Sequence, residues 1–231
     1  FEGYSFSVSC ITGRVSVSGM PVSASIELKN YCNLKCPECL SGSDRMLRER
    51  GFMDLTLFEK VIKELKPYVF NLNLYFQGEP MLHPKFFSFL KKAKGVYTTV
   101  STNGHFLSED NANKLAKSGL DRLIISLDGL DQQSYSSYRV NGNIDLVLQG
   151  IRNVAEAKKR HSSRLKLTIQ FLVNRNNEHQ IDQVKHYARE IKASLKLKSM
   201  QIIDSGSIEQ WLPSAPQFSR YEIKDEHYVI K

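Results

Sequence analysis

An α/β fold of repeated strand–helix units is what this 231-residue chain predicts. Three observations carry the expectation. Between residues 22 and 203, short apolar runs rich in β-branched residues alternate six times with stretches of helical periodicity. Each unit takes about 30 residues, the usual length of a βαβ repeat. Polar and glycine clusters follow the strands rather than the helices. Strict alternation implies a parallel sheet covered by outer helices. Six units are too few to close an eight-stranded barrel. A (β/α)6 partial TIM barrel is therefore expected, with a doubly wound open sheet as the alternative. No GxGxxG follows the first strand, which weakens a dinucleotide-binding version of the latter.

The elements are expected in this order. Residues 4–18 alternate and break at Thr12-Gly13, as a short N-terminal β-hairpin would, with Cys10 near its turn in a packing role. Ser25 to Leu28 is the first strand. Thr56-Leu57-Phe58-Glu59 has the form of a capping box, and Leu57, Val61, Ile62 and Leu65 share one face of the helix it opens. Phe70 to Phe76 is the second strand, with its helix starting at Pro84. Tyr97 to Val100 is the third strand; Ser108 can cap the next helix, which stops at Gly119. Arg122 to Leu127 is a nearly unbroken apolar run, typical of a buried parallel strand. A helix covers about 143–159, Leu165 to Val173 is the fifth strand, and a helix covers about 178–193. Ser199 to Ile203 is the sixth strand. Residues 204–219 read as a loop, and Tyr221 to Ile230 alternate like a hairpin. The expected organisation is an N-terminal hairpin extension over 1–21, a core over 22–204, and a C-terminal extension over 205–231 that begins a further region.

Composition bounds the class. Hydrophobic residues are 41% and charged residues 24%, as in globular proteins. No apolar run is long enough to span a bilayer and no signal peptide opens the chain. Net charge is +8. The lysines and arginines are spread over helix faces with no long basic run interleaved with aromatics, so nucleic acid is not the expected partner. The charge would also suit an acidic electron-donor protein.

The chemistry concentrates in Cys32-Asn33-Leu34-Lys35-Cys36-Pro37-Glu38-Cys39. Three of the four cysteines lie here, spaced CxxxCxxC. A structural zinc site needs four ligands, and only the distant Cys10 could supply the fourth thiolate. Four cysteines in a chain of this length do not make a disulfide framework. Burial for packing is a third reading, although Asn, Lys, Pro and Glu between the cysteines read as a loop. An iron–sulfur cluster held by three thiolates keeps one iron open for chemistry.

CxxxCxxC is also the signature of the radical S-adenosylmethionine (SAM) enzymes, and residues 25–203 resemble them. The resemblance implies that Cys32, Cys36 and Cys39 ligate a [4Fe–4S] cluster whose fourth iron binds the SAM amino and carboxylate groups. It implies reductive cleavage of SAM and abstraction of hydrogen from a substrate. Gly78-Glu79-Pro80 resembles the family's GGE-like motif, which meets the SAM amino group. Thr102-Asn103 matches a polar position after the third strand. Ser126 and Asp128-Gly129 resemble the SxDG that precedes ribose and carboxylate contacts. Arg139 resembles the arginine that pairs with the SAM carboxylate. Phe171-Leu172-Val173 matches a strand whose backbone reads adenine, with Val173 as the contact. Glu38 departs from the family, which often has an aromatic residue there against adenine; either Glu38 meets the adenine amino group or another residue packs in its place.

The motif order is most similar to the SPASM/twitch branch, which includes peptide maturases, sulfatase-maturing enzymes and the pyranopterin synthase. No cysteine follows Cys39, so any auxiliary-cluster domain is expected beyond Lys231. A peptide or protein side chain is the expected substrate, with a small-molecule or nucleotide cyclase as the runner-up. A zinc-stabilised basic nucleic-acid-binding module is the reading from another class. Flavodoxin or ferredoxin as electron donor, a monomer and a cytoplasmic location complete the expectation.

Overall fold

The computed structural model describes residues 20–224 and 227–231. The expected hairpin over residues 4–18, and Cys10 with it, lie outside the described residues. Six strands follow one another: β1 (Ser23–Ser25), β2 (Asn71–Asn73), β3 (Tyr97–Thr102), β4 (Arg122–Ser126), β5 (Lys166–Val173) and β6 (Ser194–Ser199). Each pairs in parallel with the next, so spatial order equals chain order. A doubly wound sheet reverses its strand order at a switch point. This sheet has no reversal, and the partial-barrel architecture holds. Among the described residues seven helices come between and after the strands: α1 (Leu55–Leu65), α2 (Phe86–Ala93), α3 (Glu109–Lys117), α4 (Gln132–Tyr138), α5 (Ile144–Arg160), α6 (Ile181–Glu190) and the single-turn α7 (Ile208–Trp211). The chain closes on the expected antiparallel hairpin, β7 (Tyr221–Lys224) with β8 (His227–Ile230).

Several boundaries differ from expectation. The first strand lies earlier than Ser25–Leu28. Ile26 adds one hydrogen bond to Asn73 O at 2.8 Å, and at Lys29 the chain bridges antiparallel to Phe52 instead. The second strand shrinks to three residues. The Thr56 capping box does not form: Asp54 caps α1, accepting from Leu57 N at 2.9 Å. An ionised Asp is a stronger acceptor than a hydroxyl. Helix α2 starts at Phe86, not Pro84, because Lys85 N donates first to His83 Nδ1 at 3.0 Å.

The largest correction is the sixth strand. Lys192 takes a left-handed φ of 54° and ends the preceding helical stretch. Leu195 and Leu197 then alternate with Lys196 and Lys198 as period-two pairing requires, and β6 pairs with β5 over Ser194–Ser199. The apolar residues of 200–203 serve elsewhere. The Ser108 cap is as expected, accepting from Asn111 N at 3.3 Å, and Gly119 ends that unit with φ 83°.

The core lies between sheet and helices. Leu72, Val100, Leu123, Ile125, Ile169 and Phe171 from the strands are fully buried against Phe58, Phe89, Val147 and Ile151 from the helices. Each such side chain stabilises by about 1.5–3 kcal/mol. Among the described residues no helix is long and apolar enough to cross a membrane. Phe89 meets Phe58 edge-on at 4.8 Å and His83 at 4.7 Å. Phe89→Ala should cost about 3–5 kcal/mol in urea unfolding. Leu57→Ala, on the exposed side of α1, should stay within about 0.5 kcal/mol.

Candidate functional site

The loop after β1 carries the three cysteines, all free thiols. Its shape depends on a glycine. A Cβ at Gly42 would lie 2.6 Å from Cys36 N and 2.7 Å from Cys36 O, so only glycine lets the loop fold back on itself. Cys39 O accepts from Gly42 N at 3.1 Å and from Ser43 N at 2.8 Å. Lys35 N donates to Val140 O at 3.0 Å, which ties the loop to the turn beyond α4. Gly78 does the same work from the β2 side. It has φ 75°, and a Cβ there would lie 2.3 Å from Lys29 O. The main chain entering the cysteine loop rests directly on it.

One cavity of about 100 Å³ opens at the C-terminal ends of the strands. Cys32, Cys36 and Cys39 form one wall, Gly78 and Glu79 a second, and Thr102, Asn103, Ser126 and Arg139 the rest. Nine of the expected site residues thus meet in one place. Pro80, Asp128 and Val173 do not reach the cavity wall. Pro80 is buried at the start of a 3-10 turn, Val173 is fully buried in the main core, and Asp128 stands behind Arg139. A second hollow, among Phe87, Lys91, Lys94, Lys114 and Lys117, shares no residue with the first.

Electrostatics are set by three carboxylates. Asp128 is fully buried; Oδ2 accepts from Arg139 Nε at 2.6 Å and Oδ1 from Leu172 N at 2.8 Å. Arg139 therefore keeps its terminal nitrogens for the cavity, with Nη1 at 3.8 Å from Cys36 Sγ. Glu79 is also buried. Oε1 accepts from Thr102 Oγ1 at 2.8 Å and from Met81 N at 3.0 Å, and Oε2 from Asn103 N at 2.7 Å. Burial raises its carboxyl above the ordinary range and these donors oppose the shift. Both oxygens are engaged within the protein, so Glu79 braces the end of β3. Glu38 answers the question its position raised. Its carboxylate accepts from Ile203 N at 2.6 Å, Asp204 N at 3.1 Å and Ser207 Oγ at 2.6 Å. It anchors the segment after β6 to the cysteine loop.

Burial pushes the Cys36 thiol up to about 11, with the Arg139 charge opposing, and raises Cys32 as well. Metal loading must therefore release protons. The donor set fits iron: three soft thiols open into one cavity beside a fixed guanidinium. Among the described residues no three His, Cys, Asp or Glu side chains gather closely around one point as a single metal ion requires. His105 is no ligand here. It is half-buried between Asn103 Oδ1 at 3.1 Å and Asn143 N at 2.9 Å, so Nδ1 donates and Nε2 accepts. Sequence reasoning missed Gly42, Ser41 and Gln77. Gly42 lies three residues beyond the last cysteine, and that proximity was its only signal.

Residues 26–195 match the family model of the Radical SAM superfamily. The chain belongs to this superfamily. Its cofactors are a [4Fe–4S] cluster and SAM. Mycofactocin maturase MftC of Mycobacterium tuberculosis is 28% identical over 184 residues, which cover 78% of this chain and 45% of MftC. GTP 3',8-cyclase of Limosilactobacillus fermentum is 27% identical over 197 residues, covering 80% of this chain and 56% of the cyclase. Streptococcus suis SuiB, solved with its precursor peptide SuiA, superposes with a TM-score of 0.67 at 19% identity, over 83% of this chain and 42% of SuiB. This radical SAM chain spans about half the length of the curated relatives it matches.

Glu38→Ala removes the acceptor of two backbone N–H groups. Hydrogen exchange at Ile203 and Asp204 should then speed up at least tenfold, while the amides of β3 and β4 keep their protection. Unchanged exchange at both residues would show that Glu38 does not hold the segment.

Proposed function

We propose that this chain is the radical-generating core of an enzyme that modifies a peptide or protein side chain. The observation that carries the reading is the convergence of three free thiols and the Asp128-anchored Arg139 on one cavity. Cys32, Cys36 and Cys39 would hold the cluster as thiolates. Arg139 would pair with the SAM carboxylate; Asp128 fixes its Nε and so aims the rest of the fork. Glu79 holds Thr102 and Asn103 in place, and with its oxygens engaged, the main chain around Gly78 and Pro80 is what remains for the SAM amino group. Thr102, Asn103 and Ser126 would meet the ribose side, and the main chain at Val173 the adenine. When bound, the cluster and SAM supply one-electron bond cleavage and hydrogen abstraction. Leu34 and Tyr75 give the cavity its apolar surface, and Phe76, exposed at the rim, offers the substrate an aromatic face.

A peptide substrate is supported by the fold shared with SuiB, which is solved with a peptide bound. A small-molecule or nucleotide cyclase is the second reading, favoured by the similarity to GTP 3',8-cyclase. Membership of the superfamily displaces the zinc-stabilised nucleic-acid module. An acidic flavodoxin or ferredoxin as electron donor suits the net charge of +8, with a monomer in the cytoplasm as its setting.

Anaerobic reconstitution of the wild-type chain should give brown protein with about four irons, and 5′-deoxyadenosine once dithionite and SAM are added. Cys36→Ala should lose both colour and SAM cleavage; cleavage retained by that variant would refute the assignment. Arg139→Lys keeps a cation beside Asp128 but loses the planar fork. It should keep the iron and bind SAM roughly 10- to 100-fold more weakly by calorimetry. Unchanged affinity would remove Arg139 from the site.

A further inference from the structure

Gln77 has no part in the reading above, yet its side chain sits against a cluster ligand. Its amide oxygen lies 3.9 Å from Cys39 Sγ and 3.1 Å from Ser41 Oγ. Ser41 Oγ accepts from Gly78 N at 3.0 Å and lies 3.2 Å from Asn30 O. With a protonated thiol this is a satisfied arrangement, since the sulfur donates to the amide oxygen. A ligating cysteine is a thiolate and has no proton to give. Amide oxygen and thiolate sulfur would then face each other as two acceptors.

A half-turn of the amide removes the conflict. Oxygen and nitrogen exchange places, and the nitrogen carries two protons. One points to Cys39 Sγ and the other to Ser41 Oγ. Ser41 Oγ then accepts from Gly78 N and Gln77, and keeps its own proton for Asn30 O. Cys39 Sγ and Ser41 Oγ then each face a donor, and the backbone does not move. Gln77 N is held separately, by Glu27 Oε2 at 2.9 Å.

The other two sulfurs have neighbours of the same kind. Asn103 Nδ2 lies 3.5 Å from Cys32 Sγ, and Arg139 Nη1 lies 3.8 Å from Cys36 Sγ. With the Gln77 amide turned, three side chains from three separate loops would each bring one nitrogen donor to a sulfur. Hydrogen bonds to the sulfurs are among the factors that set the reduction potential of an iron–sulfur cluster. They favour the reduced state, which carries more negative charge.

We propose that Gln77 is a positioning residue that donates its amide N–H to the Cys39 thiolate in the loaded protein and thereby raises the cluster's reduction potential. This rests on the cluster assignment made above. The test uses the full chain, reconstituted with iron and sulfide, as wild type, Gln77→Leu and Gln77→Glu. Iron is counted, and the midpoint potential is measured by potentiometry with electron paramagnetic resonance. All three should carry the same iron. Gln77→Leu should shift to a more negative potential, and Gln77→Glu further still because it adds a charge. Equal potentials for wild type and Gln77→Leu, or a shift to a more positive value, would overturn the proposal. If the variants fail to load, wild-type protein labelled with 15N in the glutamine side chain decides. A 15N coupling to the reduced cluster in electron–nuclear double resonance supports the bond, and its absence overturns it. Wild-type protein that takes up no iron would instead refute the cluster assignment itself.

Discussion

The buried pair of Asp128 and Arg139 is the contact on which the site's geometry depends. Asp128 follows β4, Arg139 follows α4, and the same carboxylate accepts the main chain of Leu172 in β5. Asn177 closes the junction from outside, donating to Asp128 O at 3.1 Å and Leu172 O at 2.9 Å. Gly129 lets α4 pack close, since a Cβ there would lie 2.5 Å from Tyr135 N. A buried ion pair is weak support for stability, because desolvation offsets much of the attraction. Its value here is directional. With Nε fixed, the guanidinium has one orientation, and its free edge faces Cys36 and the cavity. Removing only one partner would leave a charge buried without compensation, at a cost of about 3–5 kcal/mol.

Glu79 and Glu38 show the same economy. Both are buried carboxylates, and both have their oxygens occupied by protein donors. Glu79 joins the turn after β2 to the end of β3. Glu38 joins the cysteine loop to residues 203–207. Neither is free to act as a general base while these bonds stand. The groups left to face a ligand are therefore the thiols, the Arg139 fork and the small polar side chains of Asn103 and Ser126.

Much of this was legible in the sequence, for reasons that can be named. Strand–helix alternation survives any error of a few residues at a boundary, so the parallel sheet and the edge that collects Cys32, Gly78, Asn103 and Arg139 follow from order alone. Boundaries were less legible because the pairing partner decides them. Leu195 and Leu197 count as strand residues only beside Ile169 and Phe171. The capping box at Thr56 lost to Asp54, a competing acceptor two residues away. Gln77 carried no signal and Glu38 only a departure from the family's pattern, since their roles depend on residues 38 and 165 positions away along the chain. Val173 shows the opposite limit. It matches a strand position of the family, but its side chain belongs to the core.

The cysteine loop is ordered by protein contacts that need no metal. Gly42 against Cys36, Lys35 against Val140, and Glu38 against residues 203–207 hold it at three points. Beneath it Leu34, Cys36, Tyr138, Met200 and Trp211 form an apolar cluster of their own, with Tyr138 and Trp211 edge-on at 5.5 Å. Small zinc-folded domains work differently: their metal supplies the folding free energy and the apo chain is unfolded. Here the main core lies between sheet and helices, and the loop rests on a second one. Most of the buried apolar surface thus lies away from the three sulfurs. A cluster proposed to bind here would meet a loop the protein already holds, and a three-thiol set would leave it one open coordination position, as catalytic centres have and structural ones do not.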